Sequence, residues 1–78
     1  MDNNIEKVAT FHNHYGAMMF RKRVSGAKLA PVPRALSSSC GTAAFFSSSF
    51  SVNMADENLE AVYEIDGSTF RKIYENKE

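Results

Sequence analysis

The spacing of apolar and polar residues along the chain predicts a strand followed by a helix. Residues 7–11 are partly β-branched and aromatic, which is typical of a strand. From residue 13 to residue 24 the apolar side chains fall at helical spacing, with Asn13 as a suitable N-cap. Gly16 lowers the helix propensity there by roughly 1 kcal/mol relative to alanine, but a glycine also permits close approach of a neighbour.

The middle of the chain predicts two more strands and a short helix. Residues 27–32 alternate weakly, and Pro31 among them indicates an edge strand. Residues 33–39 are expected to form a loop, and residues 42–46 are apolar enough for a buried strand. A helix of about two turns is expected within residues 51–58.

The C-terminal third predicts a hairpin. Residues 59–65 have the character of a strand, and an Asp-Gly dipeptide at residues 66–67 is a strong two-residue turn signal before residues 68–74. In that register Tyr63 would face Phe70. The alternative for the tail is a short helix with Phe70 on its apolar side.

The order of these elements indicates an α+β domain. We expect a ferredoxin-like two-layer sandwich, with an antiparallel sheet, two helices on one face and an extra C-terminal hairpin strand. Residues 1–78 would form one small domain, with its core at about 5–65 and a tail at 66–78. In that topology the turn after the first strand and the loop between strands two and three lie at one end of the sheet. His12, Asn13 and His14 should therefore lie beside the loop that holds Cys40.

Composition excludes several classes of function. Nine lysines and arginines balance nine acidic residues, so no net charge attracts nucleic acid or an acidic membrane. No apolar run approaches the roughly 20 residues of a spanning helix. The polar N-terminus has no signal-peptide pattern and the cysteine is single, so we expect a cytoplasmic protein. A core this small would gain stability from close packing or from assembly into a homo-oligomer.

The single cysteine lies in the most unusual stretch of the chain. Cys40 follows a run of serines, precedes Gly41 and comes six residues after Arg34. A lone cysteine is most often an inert buried side chain. Here the loop composition, the arginine and a nearby helix N-terminus would favour the reactive thiolate. His12 and His14 could join Cys40 in a metal site, but a strand end and a helix cap explain them more simply, so we expect no metal and no cofactor.

Residues 10–15, residues 31–34 and above all residues 37–41 resemble a family of short bacterial proteins described as selenium/sulfur carrier-like. The resemblance runs from about residue 8 to residue 65. It implies a small cytosolic domain whose cysteine carries sulfur or selenium as a persulfide or selenosulfide. The motif carries over to six positions: Pro33, Arg34, Ser38, Ser39, Cys40 and Gly41.

The chain departs from that family in two ways. Its second helix looks shorter than usual, and a serine run occupies residues 47–49. The Cys-Pro-x-Pro motif of established small sulfur carriers is also absent, so their mechanism does not transfer.

Two functions remain open. In the first, Cys40 accepts sulfur or selenium from a donor protein and passes it to an acceptor, with Arg34 and Ser38, Ser39 and Gly41 serving the thiol. In the second, the protein is a non-enzymatic interaction or regulatory module whose Cys40 loop is purely structural. No Gly-x-Ser-x-Gly elbow is present, so a carrier or accessory protein is favoured over a stand-alone enzyme.

Overall fold

The computed structural model describes residues 5–36 and 40–76, which form a five-stranded antiparallel sheet with one α-helix. The elements in chain order are β1 (Lys7–Phe11), α1 (His14–Arg23), β2 (Lys28–Pro31), β3 (Thr42–Phe46), β4 (Leu59–Asp66) and β5 (Thr69–Glu75). The strands lie in the order β2-β3-β1-β4-β5. The α+β class, the edge position of β2 and the extra hairpin strand are thereby confirmed.

Helix α1 begins and ends as its sequence predicts. The side chain of Asn13 accepts a hydrogen bond of 2.8 Å from the backbone N–H of Gly16, which satisfies one donor of the first turn. Three basic residues in the last turn suit the negative end of the helix dipole. The chain then turns at Gly26, whose φ of 83° is strained for any other residue.

The core lies between α1 and one face of the sheet. Phe20 is fully buried between Phe11 and Phe46, with ring centroids 5.4 Å and 5.2 Å away. Tilted and edge-to-face aromatic pairs of this kind add stability beyond the area they bury. Ala9 and Ala44 lie opposite each other on the same face, where their small side chains leave room for the three rings.

A second helix is not found among the described residues, so the two-helix ferredoxin-like layout is not observed. In the segment expected to be helical, only one turn of 3₁₀ helix forms (η1, Val52–Met54). Serine, asparagine and aspartate there compete for backbone hydrogen bonds, and a two-turn helix does not repay the cost of nucleation. Phe50, Met54 and Ala55 pack against the core although this segment forms no α-helix.

The turn of the β4–β5 hairpin lies one residue later than expected, which shifts the strand pairing by two residues. Tyr63 lies opposite Lys72, and Phe70 lies opposite Ile65, so the expected pairing of Tyr63 with Phe70 is wrong. The two-residue turn is Gly67-Ser68 rather than the Asp-Gly dipeptide, because the left-handed φ of Gly67 (63°) suits the first central turn position. The alternative of a helical tail is also wrong.

Arg71 and Glu64 form a cross-strand ion pair on this hairpin. The hydrogen bond and the charge of Glu64 raise the pKa of Arg71 above its ordinary value. The arginine is fully exposed, so the pair stabilises the hairpin only weakly.

Lys7 is a buried cation that fixes the chain where it leaves β3. Its side chain is 4% exposed, and its Nζ donates to the carbonyls of Ile5 (2.8 Å), Ser48 (2.8 Å) and Ser47 (3.4 Å). It also lies 5.5 Å from the centroid of the Phe46 ring. The serine run after β3 therefore supplies backbone acceptors to an ammonium group that would otherwise be unpaired and costly to bury.

No helix within residues 5–36 and 40–76 is long and apolar enough to span a membrane.

Candidate functional site

The loop that carries Cys40 joins β2 to β3 and is closed at its base by the sheet. Pro31 pairs with Thr42, and the backbone N–H of Val32 donates to the carbonyl of Gly41 at 3.1 Å. On the outgoing side a turn forms in which the N–H of Leu36 donates to the carbonyl of Pro33 at 3.0 Å. These contacts at the base of the loop fix the positions where the chain leaves β2 and enters β3.

Cys40 is half-buried just before β3 begins. The backbone N–H of Thr42 lies 3.4 Å from its Sγ and donates to it. A donor directed at sulfur stabilises negative charge there, which is the charge that a thiolate carries. The side chain is thus held against its own backbone without being sealed in the core.

The start of α1 is tied to the same place. His14, the first residue of the helix, has its Nδ1 3.3 Å from the Oγ1 of Thr42. Thr42 therefore contacts both His14, through its side chain, and Cys40, through its backbone. The expectation that the first strand-to-helix turn meets the Cys40 loop holds for His14.

His12 and Asn13 make their contacts with the start of β4 instead. The N–H of His12 donates to the carbonyl of Asn58 at 2.9 Å, and its Nδ1 lies 3.9 Å from the Oε2 of Glu60. The side-chain amide of Asn13 donates to the Oδ1 of Asn58 at 3.0 Å. These two residues hold the β1–α1 turn against β4, while His14 alone of the three contacts a residue beside the Cys40 loop.

The other residues of the predicted site differ in what surrounds them. Arg34 is exposed in the turn after Pro33 and forms no ion pair with the residues that the structure describes. Gly41 is exposed, and a Cβ built on it meets nothing within 4 Å apart from its chain neighbours. Ser38 and Ser39 lie outside the described residues.

Asn58 is a structural residue that the sequence patterns do not reveal. It contacts His12 and Asn13, and its Cβ would lie 2.5 Å from a Cβ placed on Gly16. Only the order of strands in the sheet places it beside the start of α1, so no local motif could have found it. The only sign of this contact in the sequence is Gly16, where a larger residue would collide with Asn58.

No group of three or more histidine, cysteine, aspartate or glutamate side chains within residues 5–36 and 40–76 is arranged to hold a metal ion.

Fold and site together define a small α+β domain that presents a single thiol on the loop between an edge strand and a buried strand. A family described as "Putative Se/S carrier protein-like" matches residues 6–75, and the chain belongs to that family. Searches of curated proteins and of solved structures find no significant match.

Proposed function

We propose that the protein is a sulfur or selenium carrier and that the Cys40 thiol holds the cargo as a persulfide or selenosulfide. Membership of the carrier-like family supports the cargo. The observation that carries the proposal is the hydrogen bond from the Thr42 N–H to Sγ of a half-buried cysteine. A lone cysteine also suits the reducing cytoplasm, where a thiol is kept available.

Loading is a sulfur transfer in which no external oxidant is needed. The Cys40 thiolate attacks the terminal sulfur of a donor persulfide, a new S–S bond forms to Cys40, and the donor's S–S bond breaks. The donor leaves as a thiolate, and the terminal sulfur keeps its oxidation state. A donor selenosulfide would transfer selenium in the same way, and attack by an acceptor thiolate on the terminal atom would unload the carrier.

The Thr42 N–H favours this chemistry at Cys40. It donates to Sγ, the atom that attacks the donor persulfide, and would stabilise negative charge on that atom. Arg34 is proposed to raise the local positive potential around the loop, because it is exposed and has no acidic partner among the described residues.

Intact-mass measurement after incubation with glutathione persulfide tests the proposal. We expect the wild-type protein to gain one sulfur atom, which dithiothreitol removes, and the Cys40→Ser variant to gain none. The native protein should also be alkylated by iodoacetamide at neutral pH without denaturant. A cysteine that reacts only in urea would refute the carrier function.

Arg34→Ala tests the supporting role of the arginine. We expect native alkylation at pH 7 and low salt to slow by about threefold, because an exposed charge acts through solvent and is screened. Arg23→Ala is the matched control, since it removes an equal charge that is already paired with Asp56 at 3.2 Å. Equal slowing in both variants would contradict the role of Arg34.

The alternative of an interaction module depends on the sheet edges. β2 is only four residues long and ends in Pro31, which has no N–H to offer an added strand. Retention of all partner binding in Cys40→Ser, together with no sulfur transfer by the wild type, would favour the module.

A further inference from the structure

Positively and negatively charged residues are concentrated towards opposite edges of the sheet, although their charges cancel over the whole chain. Residues 1–41 hold six lysines and arginines against two acidic residues, whereas residues 42–78 hold three against seven. The strand order puts β2 at one edge, with α1 packed against β2, β3 and β1, and the acidic β4–β5 hairpin at the other edge. The side that carries the Cys40 loop is therefore the positive side.

The cations of the positive side are also the ones without an acidic partner. Among the described lysines and arginines, four are exposed and form no ion pair with described residues: Arg21, Lys22, Lys28 and Arg34. The remaining four are engaged, with Lys7 on backbone carbonyls, Arg23 on Asp56, Arg71 on Glu64 and Lys72 on Glu75. Every described cation that is available to a partner thus lies on α1, on β2 or in the Cys40 loop.

Apolar side chains lie among these cations. Tyr15 and Met18 are one helical turn apart on the outer face of α1, and they are 62% and 42% exposed. Lys22 follows one turn later on the same face. Nearer β2, Arg21 and Lys28 line one shallow groove. Exposed tyrosine and methionine side chains rimmed by charge are typical of a protein interface.

This surface is adjacent to the thiol. Tyr15 follows His14, whose ring contacts Thr42, and the backbone of Thr42 donates to the sulfur of Cys40. A partner bound to the outer face of α1 would therefore also contact the Cys40 loop, at the edge of the same interface.

We infer that this surface is where the sulfur donor docks, and that the donor is a protein with acidic groups around its persulfide and an apolar pocket for the tyrosine and methionine. We define the α1 docking face by its six side chains: Tyr15, Met18, Arg21, Lys22, Lys28 and Arg34. The inference rests on the proposed function. Nucleic acid is disfavoured as the occupant, because four cations are few for a phosphate backbone and the opposite side of the domain repels polyanions.

Peptide persulfides of equal length test this surface. All three carry a leucine next to the cysteine, and the flanking residues are glutamates in one, lysines in the second and uncharged in the third. We expect transfer of sulfur to Cys40 from the acidic peptide to be about tenfold faster than from the uncharged one at low salt, and the advantage to disappear at high salt.

Two charge reversals of equal size identify the surface. Arg21→Glu with Lys28→Glu should abolish the advantage of the acidic peptide over the uncharged one. Arg71→Glu with Lys72→Glu changes the net charge equally on the opposite side and should leave the advantage intact. Tyr15→Ala should slow transfer from all three peptides, because it removes the contact for their leucine.

The outcomes separate the two proposals. Transfer from all three peptides at equal rates would overturn the docking face and leave the carrier function standing, whereas no transfer from any peptide would overturn the carrier function itself. Loss of the advantage in both double variants would overturn the location of the surface. Tight binding of a single-stranded oligonucleotide, competing with the acidic peptide, would overturn the inference in favour of nucleic acid.

Discussion

Gly16 lies where α1 meets the start of β4, and replacing it with alanine sets two opposing effects against each other. Alanine is the better helix former by about 1 kcal/mol, so propensity alone predicts a more stable protein. A Cβ at residue 16, however, would lie 2.5 Å from the Cβ of Asn58 and 3.3 Å from a ring carbon of Phe11. The first of these distances is shorter than two carbon atoms tolerate, so the backbone has to move.

The movement would disturb two hydrogen bonds of Asn58, those with His12 and Asn13. Overpacking of this kind costs about 1–3 kcal/mol, and subtracting the propensity gain of about 1 kcal/mol leaves a net loss of about 0–2 kcal/mol for Gly16→Ala. For a domain of this size that loss lowers the Tm by up to roughly 15 °C.

Urea unfolding followed by circular dichroism measures the loss, and a double-mutant cycle identifies its cause. Asn58→Gly removes the opposing Cβ, so Gly16→Ala should be neutral or stabilising in that background. Asn58→Ala removes the same amide but keeps the Cβ, so the penalty should persist there. A stabilised Gly16→Ala single variant, or an equal penalty in all three backgrounds, would refute the steric explanation.

Three further changes test the packing and the electrostatics. Lys7→Met should cost about 2 kcal/mol in urea unfolding, because three carbonyls lose their donor, and a more stable variant would show that burial of the charge outweighs those bonds. Phe20→Ala should cost about 3–5 kcal/mol by the same assay, and a loss below 1 kcal/mol would contradict its central position in the core. Because Glu64 raises the pKa of Arg71, the stability from that pair is complete below the unfolded value of the pKa and is lost only as the pH rises through the folded value. Arg71→Gln should therefore leave the slope of stability against pH unchanged between about pH 6 and pH 10, and a changed slope in thermal melts would disprove this.

The strands and the first helix could be predicted because each has a strong local signal. Residues 7–11 and 42–46 are short apolar runs, and both match their strands to the residue. Asn13 caps α1 as expected, and Pro31 marks an edge strand. In each case the hydrogen-bonding capacity or the shape of the side chain decides the structure within a few residues.

The errors arise where distant contacts outweigh local preference. Residues 51–58 carry helix-capping residues, yet they form only one 3₁₀ turn, and Met54 and Ala55 pack against the distant core from there. The pairing of Tyr63 with Lys72 follows from the turn at Gly67-Ser68, where the backbone conformation of Gly67 outweighs the Asp-Gly signal.

The loop position of Cys40 could be predicted from the sequence, whereas the contacts of the residues expected around it could not. Cys40 is distinctive as the single cysteine, and its loop position follows from its neighbours. His12 faces β4 rather than the thiol because its backbone bonds Asn58, a pairing of residues 46 positions apart. The unequal charge of the two halves of the chain can be read from the sequence, but only the strand order shows that these charges lie towards opposite edges of the sheet.

The placement of Pro31 bears on how the protein behaves when it is concentrated. A five-stranded sheet with two exposed edges could recruit further copies and grow into an open-ended fibre. At one edge the last residue of β2 is a proline that offers no N–H, and at the other edge β5 presents Arg71, Lys72 and Glu75 to an incoming strand. Growth by addition of strands is therefore disfavoured in both directions.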